Sequence, residues 1–168
     1  MRLTKIAAIG AALAAAIAVA PPAQAANFVV LQNFGSGKCL QPDPGNPLAE
    51  GVAVVQMPCS NNAVQRWSPV AFGSGTVKLV NQASGFCMRA RRNVDRQAVT
   101  THGCTDISDN RWQLPSNVPN AVPERITSKV SGGNRVLDVA GLTGNGAPAQ
   151  IITFASNDPF RLWFVRLG

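Results

Sequence analysis

Gln65-Arg66-Trp67 returns twice further along the chain, as Asn110-Arg111-Trp112 and as Arg161-Leu162-Trp163. These hold the only three tryptophans among 168 residues, and they stand 45 and 51 residues apart. A period of about 40–50 residues marks a repeated architecture, in which one supersecondary unit recurs because it cannot bury its apolar face alone. Fold and function therefore have to be read unit by unit.

Working outward from the tryptophans, more of the unit comes into register. The first contains Leu31-Gln32-Asn33, then Ser36-Gly37-Lys38-Cys39-Leu40, then Val54-Val55-Gln56-Met57-Pro58-Cys59. The second contains Leu79-Val80-Asn81, Ser84-Gly85-Phe86-Cys87-Met88 and Ala98-Val99-Thr100-Thr101-His102-Gly103-Cys104. The third contains Ile126-Thr127-Ser128, Gly132-Gly133-Asn134-Arg135-Val136-Leu137 and Ala149-Gln150-Ile151-Ile152-Thr153-Phe154. Short apolar runs rich in Val, Ile, Leu and Phe alternate with Gly, Asn, Asp, Pro and Ser, which is the pattern of strands and turns. No stretch beyond residue 25 carries a helical period. The expected class is all-β, with repeats at about 28–70, 76–115 and 124–168. Residues 70–75 and 115–124 join them.

The first 25 residues stand apart. Arg2 and Lys5 precede an uncharged apolar run over residues 6–20, Pro21-Pro22 breaks it, and Ala23-Gln24-Ala25 offers a small-residue cleavage site. This is the pattern of a secretory signal peptide. The run is short and Ala-rich for a membrane span. The expectation is a secreted, extracellular domain over residues 26–168, large enough for one real core. Without Arg2 and Lys5 the balance is 13 basic to 8 acidic residues, a net of +5. That charge favours approach to anionic surfaces, acidic glycans included, without specifying nucleic acid.

Four cysteines in an exported chain read as two disulfides. The repeat selects one connectivity of three: Cys39–Cys59 in the first unit and Cys87–Cys104 in the second. Closing each loop adds about 3 kcal/mol in the chain-entropy model. No C-x-x-C pair is present and His102 is the only histidine, so neither a zinc site nor any other metal or cofactor is expected. At the matching positions the third unit carries Val136 and Phe154, an apolar pair suited to fill by packing what a disulfide staples elsewhere.

The run G-x-C-L, a strand ending in Cys, and then Q-x-W resembles the ricin B-type lectin repeat. The likeness covers residues 28–168. It implies a β-trefoil: a small barrel capped by three hairpins, with pseudo-threefold symmetry. It also implies that Trp67, Trp112 and Trp163 belong to the core rather than to a ligand site. Only the first unit keeps the literal Q-x-W; Asn110 and Arg161 replace its Gln.

In that family a sugar site sets a carboxylate two residues after the first cysteine position, an aromatic ring two before the second, and an amide three before the tryptophan. The carboxylate accepts from sugar hydroxyls and the ring stacks on the C–H face. The first unit presents Gln41, Met57 and Val64, a worn-out set. The second presents Arg89, His102 and Asp109, with the charge at the first position inverted. Arg89, Arg91, Arg92 and Arg96 then form either a basic patch for an anionic ligand or a solvated arginine-rich loop. The third presents Asp138, Ile152 and Phe160, with Gln150 on the same strand and Asn157 and Asp158 in the last loop. It is the best remaining site, unless Asp138 serves only to cap a turn through its own backbone.

The resemblance thus implies a carbohydrate-binding, lectin-like module whose partner is a glycan or polysaccharide, with partly degenerate sites and the third repeat as the place of binding. The competing expectation is a protein-interaction or delivery module resembling the trefoil subunits of cytolethal distending toxins. A contiguous exposed patch of Met57, Val64, Ile152 and Phe160 would favour it. No enzyme is expected: His102 is the only imidazole, Asp106 and Asp109 share one polar turn, and no Gly-rich phosphate-binding loop precedes a helix.

Overall fold

The computed structural model describes residues 28–140, 142–154 and 158–168. The expected signal peptide and Asn157 lie outside these. Each repeat contributes four strands. The first supplies β1 (Val29–Asn33), β2 (Cys39–Pro42), β3 (Val54–Met57) and β4 (Trp67–Gly73). The second supplies β5 (Thr76–Asn81), β6 (Cys87–Ala90), β7 (Gln97–His102) and β8 (Trp112–Gln113). The third supplies β9 (Thr127–Ser128), β10 (Arg135–Asp138), β11 (Gln150–Ile152) and β12 (Trp163–Leu167).

The first and last strands of each repeat close a barrel. Antiparallel pairing runs from β1 to β4, β5, β8 and β9, a bridge between Glu124 and Trp163 carries it on, and β12 returns to β1. Closure leaves no unpaired sheet edge in the ring. The inner strands form three hairpins, β2–β3, β6–β7 and β10–β11, which touch one another through Ala53 and Thr100, Gln150 and Ala98, and Val55 and Pro148. This is the β-trefoil.

The three indoles explain why the tripeptides recur. Trp67, Trp112 and Trp163 are fully buried. A buried indole N–H needs an acceptor, and each finds the same one: the carbonyl of Leu40 at 3.2 Å, of Met88 at 2.8 Å and of Leu137 at 3.0 Å. Each tryptophan therefore ties the barrel to the hairpin of its own repeat. A short 3₁₀ turn precedes each one, at Ala63–Gln65, Ser108–Asn110 and Pro159–Arg161. Around the indoles, Leu31, Leu40, Leu79, Met88, Ile126, Leu137, Ile151 and Val165 complete one continuous core.

Both disulfides have the pairing expected from the repeats, Cys39 with Cys59 and Cys87 with Cys104. In the third repeat Val136 is buried, but Phe154 is only half-buried and carries the guanidinium of Arg125 over its ring at 3.8 Å. A cation–π stack covers this position, so the simple apolar pair expected from the sequence is incomplete.

The repeats interlock in a cycle. The loop between β2 and β3 docks on the second repeat, that between β6 and β7 on the third, and that between β10 and β11 on the first. At each junction one backbone N–H from the loop meets a strand carbonyl: Gly51 to Thr101, Arg96 to Ile151, Gly146 to Gln56. Two junctions add a carboxylate. Glu50 accepts from the Gly103 N–H at 2.9 Å, and Asp95 accepts from the Thr153 N–H at 2.6 Å. The residue matching Gly103 and Thr153 in the first repeat is Pro58, which has no N–H to offer. The loop facing it has the uncharged Asn145 in place of the carboxylate. There Gln56 reverses the direction, donating its amide to the carbonyls of Leu142 and Gly144.

Candidate functional site

The pocket positions of the three repeats are equivalent in register. Cys39 pairs with Met57, Cys87 with His102 and Val136 with Ile152. Two residues further along the first strand of each hairpin stand Gln41, Arg89 and Asp138. The structure shows what each has become.

In the first repeat, Gln41 is buried. Its amide donates to the Pro42 carbonyl at 3.3 Å, and its oxygen accepts from Gln65 at 2.9 Å. Gln65 also donates to the Pro58 carbonyl and accepts from the Ser60 N–H. The glutamine of the tripeptide thus fastens the end of the hairpin and fills the recess with protein–protein hydrogen bonds.

In the second repeat, Arg89 turns onto Asp109, with Nη2 2.9 Å from Oδ2. The side chains are 20% and 18% exposed. His102 faces Glu50, Nδ1 to Oε1 at 3.3 Å. The first hydrogen bond from Gly103 and the next from His102 hold the Glu50 carboxyl below the usual carboxylate range. Both of the repeat's own polar groups are engaged. The four arginines grouped by sequence do not form one patch. Arg89 is neutralised, Arg91 and Arg92 are exposed loop residues, and Arg96 lines a recess of the third repeat.

That recess has a volume of about 380 Å³ and is lined by Arg96, Asp138, Ala140, Gln150, Ile152, Asp158 and Arg161. Asp138 lies at the end of β10 and is only 2% exposed. Burying a carboxylate requires compensating partners. Its Oδ2 accepts from the Ala140 N–H and from the Gln150 amide, both at 2.7 Å. Arg161 Nε lies 3.6 Å from Oδ1, and Arg161 also reaches Asp158 at 3.7 Å. The bond to Ala140 is the turn cap offered by the sequence as an alternative role, but the same side chain also lines the recess. A carboxylate has about four acceptor positions; Oδ2 uses two of them here, while Oδ1 lies against Arg161.

Of the residues singled out from sequence, Asp138, Gln150 and Ile152 are brought together here. Phe160 is not among the lining residues. It packs against the core, with its ring so close to Gly35 that a Cβ there would lie 2.9 Å away. Two arginines were not foreseen in this place. Arg161 occupies the position of the tripeptide's glutamine, and Arg96 comes from another repeat. A spacing does mark Arg96: Gly51, Arg96 and Gly146 each stand six residues before Met57, His102 and Ile152.

Met57, Val64, Ile152 and Phe160, the residues whose exposure bears on a protein-interaction module, are each only partly exposed; Ile152 lines the recess and Phe160 packs against the core. Among the described residues, no group of three or more His, Cys, Asp or Glu side chains is placed to hold a metal ion. No described helix is long and apolar enough to cross a membrane.

Solved structures with this fold include the designed threefold-symmetric protein ThreeFoil, 22% identical, with a TM-score of 0.73 over 83% of this chain and 97% of that one. An exo-beta-1,3-galactanase from Clostridium thermocellum is 21% identical, with a TM-score of 0.76 over 88% of this chain but only 31% of that one. A Macrolepiota procera ricin B-like lectin, solved in complex with lactose, is 15% identical, with a TM-score of 0.70 over 88% of this chain and 100% of its own. At these identities the likeness is one of fold. Among curated proteins none matches the chain in sequence. A family model described as "Ricin-type beta-trefoil lectin domain-like" matches residues 19–100 and 73–152. Tripeptides, hairpin register and family match agree, and the chain belongs to the ricin-type β-trefoil lectin-like family.

Proposed function

We propose that the protein is a secreted, non-catalytic carbohydrate-binding module whose working site is the recess of the third repeat. The observation that carries this reading is the Asp138 carboxylate, oriented by Gln150 and the Ala140 N–H at the wall of an open recess. The matching groups of the other two repeats are engaged by Gln65 and Asp109. A fixed carboxylate accepts from a sugar hydroxyl at little cost in order, because its own side chain is already immobilised. Ile152 offers an apolar wall without an aromatic ring, so affinity for one sugar is low. Useful strength comes from ligands with many copies, by raising the effective concentration after the first contact. Lectin relatives of this fold, such as the lactose-bound Macrolepiota procera protein, make the reading chemically reasonable.

The test is a glycan array probed with the secreted form and with Asp138→Ala. Binding by the first that is lost in the second supports the reading. Silence of the folded protein across neutral and acidic glycans would overturn it.

A further inference from the structure

Arg96 stands where the fold calls for glycine. The equivalent positions at the other two repeat junctions are Gly51 and Gly146, with φ of 82° and 78°. All three donate their backbone N–H to the matching strand carbonyl, and Arg96 does so with φ of 60°. A residue with a Cβ is disfavoured in this left-handed region, whereas glycine adopts it freely. Strain retained at one of three equivalent positions points to a use for the side chain. The side chain lines the recess that holds Asp138.

The loop bearing Arg96 is held firmly. Asp95, just before it, accepts from the Thr153 backbone and hydroxyl and pairs with Arg135. Asn93 accepts from Arg135 and lies where any side chain on residue 133 would have to go, a place kept clear by Gly133. The guanidinium of Arg96 is therefore presented by a fixed support. It makes no ion pair within 4 Å among the described residues, and Arg91 and Arg92 lie exposed on the same loop. Asp95, the loop's only acidic residue, is already taken by Thr153 and Arg135. The loop thus adds positive charge to the rim of a recess in which Arg161 already faces Asp138 and Asp158, in a chain that is itself basic, with an isoelectric point of about 10.1.

We infer that Arg96, supplied by the second repeat, completes the third repeat's recess and selects glycans that carry a carboxylate, the uronic acid class. The planar guanidinium matches a carboxylate with two parallel hydrogen bonds, while Asp138 takes a hydroxyl of the same residue. This rests on the carbohydrate-binding reading above and specifies its ligand.

The experiment compares binding of galacturonate and glucuronate oligosaccharides with that of their methyl esters, which keep the ring hydroxyls and remove the charge. Titrations use the wild-type protein, Arg96→Gly and Asp138→Ala. The wild type should bind one or more acids about tenfold more tightly than the ester, and added salt should narrow the difference. Arg96→Gly should erase the preference without lowering the melting temperature, since glycine suits the backbone there. Equal binding of acid and ester by the wild type would overturn the inference while leaving the carbohydrate reading intact, as would an acid preference that survives Arg96→Gly. Loss of acid and ester binding alike in Arg96→Gly would also overturn it, because the arginine would then be acting as a stacking surface. Absence of binding to any acid, ester or neutral glycan would sink the underlying reading itself.

Discussion

Arg89 and Asp109 face each other at 2.9 Å in the second repeat, at the two positions that Asp138 and Phe160 occupy in the third. A cation stands at the carboxylate position of a sugar site and a carboxylate at its amide position, and the two engage each other. Truncating one partner leaves the other partly buried and unmatched. Arg89→Ala should therefore destabilise by about 1–2 kcal/mol, between the values for exposed and charge-assisted buried pairs. The double variant with Asp109→Ala should recover part of that loss. Urea unfolding measures both, and glycan binding should stay unchanged because this recess is not the open one.

The three tryptophans share one environment: full burial and an indole bond to the hairpin of the same repeat. Each Trp→Ala variant should lose about 3–5 kcal/mol. The three losses should be similar, which would not hold if one indole served a ligand and two served the core. Chemical denaturation of the three variants checks this.

Asp95 gives the junction of the second and third repeats a pH dependence. The Thr153 backbone N–H first, and then its hydroxyl, hold the Asp95 carboxyl below its ordinary range. A carboxylate whose folded pKa is depressed stabilises above its unfolded value of about 3.9. That contribution is lost as pH falls through the lower folded value. Wild type should thus melt higher than Asp95→Asn at pH 7. The gap should close in acid below the folded pKa. A gap of constant size down to that acidity would refute the assignment.

Gln56 provides the contrast. It holds the third junction by donating to the Leu142 and Gly144 carbonyls at 2.7 and 3.1 Å, and neither partner titrates. Gln56→Ala should cost about 0.5–1.5 kcal/mol for each of these hydrogen bonds it removes. The loss should be the same at pH 7 and in the acid range where the Asp95 effect fades. Melting curves of the variant across that range decide it.

Much of this architecture is local and hence legible in the residues. A buried indole needs a large apolar centre and an acceptor, so three spaced tryptophans mark three repeats that share one core. Paired cysteines within one unit mark its hairpin. Asp138, Gln150 and Ile152 sit on neighbouring strands of one hairpin, and fixed spacings from the two cysteine positions of the repeat mark Asp138 and Ile152. Phe160 is marked by its spacing from the tryptophan, yet a ring can turn to either side of a short turn. Only the packing against Gly35 shows that it joins the core.

By itself, then, the sequence determined the repeat, the class of fold, the disulfide partners and which hairpin retains a carboxylate, because these follow from periodicity and short-range spacing. The tertiary structure decided which recess is open and what completes it. Arg89 and Asp109 are 20 residues apart in the chain and meet only once the hairpin packs on the 3₁₀ turn. Arg96 belongs to one repeat in sequence and to another in space, because each loop docks on the repeat that follows. Loops of unequal length hide that cyclic docking along the chain, and the closed barrel imposes it.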